Sequence, residues 1–321
     1  MTNLKNKKLN IIVLLICLIT VIVTGCGFKS KTETVGNKMF HDDVGRTVNI
    51  EKTTKIVALS NSFLDILNAL DANVIGIPNT KETELNQYFN NAEKVGFVYN
   101  INIEKVVALK PDLVIAYQGI HDKFVPILEA NNIPVIVIKM KTYDDVVAKI
   151  KLLSEITDNV AKGEMLINSL AESINKVKSA LPEEGKSIVI LHSTARDVTV
   201  ELESSIAGST AKTLGLKNLA NNAEALSNSQ EMTPYSLEKL VSMNPEIIFV
   251  TIMGKEVDLK NKMLQEMKNN PAWASLKAVQ NNQVYFLEQD LFQINPGLRY
   301  PEAMEKMAKL AYPEVVSNGN K

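Results

Sequence analysis

The chain has 321 residues, enough for two domains of ordinary size, and carries 35 Lys and Arg against 36 Asp and Glu. That balance leaves a net charge of −1 and excludes the basic field on which nucleic-acid binding rests. Both cysteines, Cys17 and Cys26, lie near the N-terminus, which excludes a disulfide framework or a cysteine metal site in the body of the protein.

The first predicted element is an export signal. Lys5, Lys7 and Lys8 precede an apolar run at 11–23, too short for a bilayer-spanning helix of about 20 residues. The run leads into Val23-Thr24-Gly25-Cys26, which resembles the lipobox of bacterial lipoproteins. That resemblance implies cleavage before Cys26 and a diacylglycerol group on its sulfur; an ordinary signal peptide or a single-span anchor is the competing reading. Residues 1–25 are then a lipoprotein signal peptide and 26–38 a polar, flexible tether. The exported protein is expected on the outer face of the cell membrane, held in the bilayer through Cys26 and not spanning it.

Folded sequence is expected from about residue 39. Residues 43–48 read as a small hairpin turned at Gly45. Apolar runs at 55–59, 73–77, 112–117 and 134–139 read as buried strands, with helices at 63–70 and 123–130 among them. The alternation predicts a parallel α/β lobe over 39–158. Between 142 and 180, Leu152, Leu153, Ile156, Leu166, Ile167, Leu170, Ile174 and Val177 recur at helical spacing without a proline. Two helices follow from that pattern, the second (about 160–180) joining the lobes within a connecting segment at 159–183. Strands at 187–192, 198–201, 246–251 and 283–287 and an amphipathic helix at 301–310 predict a second α/β lobe over 184–316, with 317–321 a tail. The fold class is α/β: two Rossmann-like lobes with parallel sheets, joined by one long helix, with a ligand crevice between them.

One segment occurs twice. Residues 102–117 read NIEKVVALKPDLVIAY and residues 236–251 read SLEKLVSMNPEIIFVT. Glu104 and Glu238 are each preceded by a polar N-cap candidate (Asn102, Ser236) and followed seven positions on by Pro111 or Pro245. Each copy predicts a short capped helix that a proline stops, then a buried strand.

In sum these motifs resemble the substrate-binding lipoproteins of ABC importers for iron–siderophores, haem and cobalamin. The resemblance covers about 40–313 and rests on DDVGRTV, KIVALS, VGFVYNINIEKVVALKPDLVIAY, the connecting helix, SLEKLVSMNPEIIFV and NNPAWASLKAVQNNQVYFLEQDLF in that order. It implies a monomeric carrier that hands its ligand to a permease dimer and its ATPase, with no intrinsic cofactor. It also implies that Glu104 and Glu238, one per lobe, dock on the permease. The competing reading is that each glutamate favours its own helix N-terminus, worth about 0.3–1 kcal/mol.

In open α/β sheets the ligand lies beyond the carboxyl ends of the strands. Those ends supply Phe97, Tyr99, Tyr117, His121, His192, Met253 and Phe292 as candidate lining, with Arg196 and, farther off, Arg299 for an anion. The chain is most similar in character to haem-binding lipoproteins of Gram-positive bacteria, which ligate iron through a Met of the first lobe and a His of the second. Tyr99 and Met253 stand at those positions here. A phenolate and a thioether are both haem ligands, so Tyr99 and Met253 are the candidate axial pair if the cargo is haem. In the alternative Tyr99 only stacks on a ligand and Met253 only fills a groove. The expected cargo is haem or another iron chelate; a corrinoid stays open. His41 is expected in solvent, and a structural role competes with a ligand role at His121 and His192. No nucleophile elbow or paired catalytic carboxylate occurs, so a binding protein is expected, with an extracellular enzyme acting on a metal chelate as the rival class.

Overall fold

The computed structural model describes residues 38–79, 87–254, 256–293 and 295–316, all within one compact unit. Cys26 and the sequence before residue 38 lie outside the described residues.

Strands β1 (Lys38–His41) and β2 (Thr47–Ile50) pair antiparallel around Gly45, whose φ of 83° is a left-handed conformation that glycine adopts without strain. Buried Asp42 clamps this hairpin: it accepts from the backbone of Val44 and Arg46 and from the Arg46 guanidinium. Arg46 also reaches Glu129 and the Val135 carbonyl, which fixes the hairpin to the first lobe.

That lobe is built on a five-stranded, wholly parallel sheet: β3 (Ile56–Ala58), β4 (Val74–Ile77), β5 (Glu93–Lys94), β8 (Leu113–Tyr117) and β9 (Val135–Ile138), in the order β5-β4-β3-β8-β9. Helices α1 (Leu64–Ala69), α2 (Ile103–Ala108) and α3 (Val125–Ala130) connect these strands, and a small hairpin, β6 (Gly96–Phe97) and β7 (Asn100–Ile101), precedes α2. The predicted helix pair is α4 (Tyr143–Ile156) and α5 (Val160–Ser179). A capping box of Thr142 and Asp145 starts α4. The two helices cross closely at Gly163, where an added Cβ would lie 2.4 Å from the Ser154 side chain.

The second lobe departs from the expected all-parallel sheet. Strands β10 (Ser187–Thr194), β12 (Lys217–Asn218), β14 (Ile247–Met253) and β15 (Val284–Phe286) are parallel, but β11 (Val198–Glu201) folds back on β10 and β13 (Met232–Pro234) on β11, both antiparallel. The three residues between β10 and β11 explain this, because so short a link can only make a hairpin. Around the sheet lie α6 (Ile206–Thr213), α7 (Leu237–Met243), α8 (Glu256–Asn269), α9 (Gln289–Phe292) and α10 (Tyr300–Ala311).

Strands buried on both faces sort their residues by parity. In β8, Leu113, Ile115 and Tyr117 point to one side; in β10, Ile188 and Ile190 do; in β14, Ile247 and Phe249 do. All of these enter one cluster that continues through Leu153, Leu170 and Ile174 of the helix pair to Ala303 and Met304 of α10. The core is therefore continuous from one lobe to the other. The opposite parities fill separate outer cores, Val114 and Ala116 in one and Val189, Leu191, Ile248 and Val250 in the other.

Both copies of the repeated segment fold as expected. Asn102 accepts from Lys105 N at 3.1 Å and Ser236 from Lys239 N at 3.3 Å, each closing the first turn of its helix. Each helix ends before its proline through a left-handed residue, Lys110 at φ 48° and Asn244 at φ 44°.

Candidate functional site

The inward parity carried past the core leads to a cavity of about 390 Å³ between the lobes. Its lining includes Tyr99 and Lys141 from the first lobe and His192, Glu201, Glu231, Met232, Met253 and Phe292 from the second. Tyr99 and Met253 thus stand on one cavity from opposite sides, both well exposed at 67% and 52%.

Tyr99 sits at the tip of the β6–β7 hairpin, which needs Gly96: at φ 109°, any Cβ would come within 2.6 Å of the Asn100 carbonyl. His121 holds this tip from beneath. Its Nε2 donates to the Val98 carbonyl at 2.8 Å, and its Nδ1 accepts from Tyr117 N at 3.0 Å, which fixes the tautomer. The side chain is fully buried, and that burial lowers its pKa below the ordinary imidazole value of 6.5, keeping the ring neutral. Of the two roles open to His121, the structural one fits: it is a support for the Tyr99 loop.

Tyr117 also moves from lining to scaffold. Its ring stacks on Phe63, its hydroxyl donates to the Met140 carbonyl at 2.8 Å, and burial raises its pKa. Phe97, on the same hairpin as Tyr99, is exposed at 64% and is not among the cavity's lining residues. Arg299, expected near an anion, is held by Glu302 and Asp290, whose carboxylates already occupy its guanidinium fork. Arg196 lies exposed at the β10–β11 turn, outside the cavity lining, and the neighbouring carboxylate of Asp197 accepts from Thr194.

His192 does face the cavity, above a buried polar network. Parallel register places His192 beside Thr251, and its Nδ1 lies 3.0 Å from the Thr251 hydroxyl and 3.1 Å from the Gln293 amide. Thr251 donates to the carboxylate of Glu201, which also accepts from Ser205 at 2.6 Å. Glu201 is itself 2% exposed and 3.5 Å from the imidazole. Sequence reasoning missed Glu201, Lys141 and Glu231. Lys141 follows the end of β9, where the strand-end rule applies, and Glu201 is an acid closing an alternating strand, Val198-Thr199-Val200-Glu201.

Glu104 and Glu238 are exposed in the first turns of α2 and α7. A helix that precedes a strand of a parallel sheet runs back along it, so its N-terminus lies level with the strand's carboxyl end. Both glutamates therefore fall on the cavity side of their sheets.

Residues 56–291 match the periplasmic binding protein family. The chain belongs to that family. As a periplasmic binding protein it is 28% identical to the Fe(3+)-citrate-binding protein YfmC of Bacillus subtilis, over 95% of this chain and 97% of that protein. It is 25% identical to the high-affinity heme uptake system protein IsdE of Staphylococcus aureus, over 92% and 94%. Among solved structures, an ABC transporter substrate-binding protein from Listeria monocytogenes superposes with a TM-score of 0.73 at 25% identity, covering 82% of this chain and 100% of that one. Among the described residues no helix is long and apolar enough to cross a membrane.

Proposed function

We infer that the protein captures an iron chelate, haem foremost, at the outer face of the membrane and delivers it to an ABC permease. The observation that carries this reading is the cavity, where a phenol from one lobe meets an imidazole and a thioether from the other. Met232, Ile206, Ile252 and Phe292 add the apolar surface that a tetrapyrrole would cover. Among the described residues, lysine and arginine are represented in the lining by Lys141 alone, which already faces Glu231. So little positive charge favours haem over a multiply charged anionic chelate.

In this reading Tyr99 and Met253 or His192 offer donors to the iron, Phe97 shields the rim, and Arg196 stands ready for a peripheral carboxylate. The lobes are residues 39–158 and 184–316, joined by 159–183, and Cys26 carries the lipid. Glu104 and Glu238 address two like permease subunits across the loaded cavity. The cargo leaves unchanged, so the role is binding and no turnover is expected.

Titration with ferric haem tests this: a Soret shift that Tyr99→Ala alters is expected, and an unchanged haem spectrum at saturating protein overturns the haem reading. Ferric citrate is the second reading, favoured by the name and full-length match of the Bacillus relative. Tight binding of ferric citrate with no haem spectrum would select it.

A further inference from the structure

Lys141 is the one lysine or arginine among the described residues that line the cavity. Its backbone is fixed, because Lys141 N donates at 2.9 Å to Asp145, the carboxylate that also closes the capping box of α4. Its ammonium is less committed. It faces Glu231 of the opposite lobe, Nζ to Oε2, at 3.4 Å, whereas Lys149 meets Asp43 at 2.6 Å within the first lobe. Charge-assisted hydrogen bonds usually close to about 2.7–2.9 Å, so the Lys141–Glu231 pair is a loose one. Both side chains are partly withdrawn from water, at 27% and 25% exposure, which raises the value of any better partner. Glu231 is anchored too: its carbonyl accepts from Leu202 N at 2.8 Å, so its carboxylate swings from a fixed base. The other cavity carboxylate, Glu201, is taken up by Ser205 and Thr251 and does not compete for Lys141.

We propose that Lys141 is the specificity-determining residue of this cavity, receiving a carboxylate of the cargo, and that Glu231 occupies its place until cargo arrives. The inference rests on the iron-chelate reading above. The chemistry is common to a haem propionate and a citrate carboxylate. A cargo carboxylate that reaches Lys141 gains a charge-assisted bond and repels Glu231. The two substitutions therefore have opposite signs: removing Lys141 weakens binding, and neutralising Glu231 strengthens it.

The experiment measures affinity for haemin and for its dimethyl ester, with folding checked by thermal melts. Lys141→Met should weaken haemin about tenfold and leave the ester within about twofold. Glu231→Gln should tighten haemin several-fold, and Lys141→Arg should restore most of the lost affinity. An equal loss for haemin and ester, or weaker haemin binding by Glu231→Gln, overturns the proposal. If the wild-type protein binds ferric citrate and not haemin, the haem reading fails separately. Lys141→Met against ferric citrate then decides the matter, a loss supporting the carboxylate role and an unchanged affinity overturning it.

Discussion

The two copies of the repeated segment share a cap, a left-handed exit and a proline, yet their strands end differently. The first, β8, stops at Tyr117; the second, β14, runs on to Met253. Parity gives both end residues the inward direction, but Tyr117 is consumed by Phe63 and the Met140 carbonyl, whereas Met253 emerges into the cavity. A strand extended beyond its sheet's core converts a packing position into a cavity-lining position. The first lobe reaches the cavity by another route, through the Tyr99 hairpin supported on His121.

The largest expected effect tests what the copies have in common. Charge reversal of Glu104 and Glu238 together should abolish cellular uptake while leaving cargo affinity in solution unchanged; weakened binding would place the glutamates at the ligand. Next come the two strand ends. Tyr117→Ala should cost about 3–5 kcal/mol in denaturant unfolding, as an emptied core site does, and Met253→Ala should stay within about 0.5 kcal/mol. Equal losses would erase the distinction between scaffold and lining.

The support beneath Tyr99 brings a pH dependence. Because the folded pKa of His121 is lowered by burial, the unfolded chain binds the proton more readily. Its contribution is complete above the ordinary value of 6.5 and is lost as pH falls through that value toward the folded one. Urea unfolding of wild type and His121→Gln, followed from about pH 8 to pH 5, should show a shallower acid decline in the variant. The smallest effect separates the exits of the two helices. Lys110→Asn should add roughly 0.5–1 kcal/mol, because asparagine tolerates the left-handed conformation better. Asn244→Lys should cost about 1–2 kcal/mol, losing also the 2.9 Å bond from Lys277 N.

Much of the architecture was legible because buried strands and capped helices leave local signatures. The helix pair at α4 and α5 follows from apolar spacing, and both glutamate-bearing helices from a cap and a proline. The antiparallel turn of β11 did not, since Val198-Thr199-Val200-Glu201 reads as a strand without stating its direction. At the cavity, Tyr99, Met253 and His192 were reachable from the strand-end rule. Tyr117 was misplaced by the same rule, His121 was left between two roles and Arg299 was offered to an anion, because a short window cannot report that Met140, Val98 or Glu302 already uses their polar atoms. Lys141 and Glu231 meet only after the lobes pack, so neither local sequence carries a trace of the other.

The apolar cluster that passes from Ile115 through Leu170 and Ile174 to Phe249 and Met304 bears on how the chain could be divided. A cut within the loop after α5 would leave each fragment with half of a shared interior turned to water. Such halves should aggregate when made alone and regain solubility when made together. The carrier would then be an obligate pair written as one chain, with the connecting helix serving as much to fill the seam as to span it.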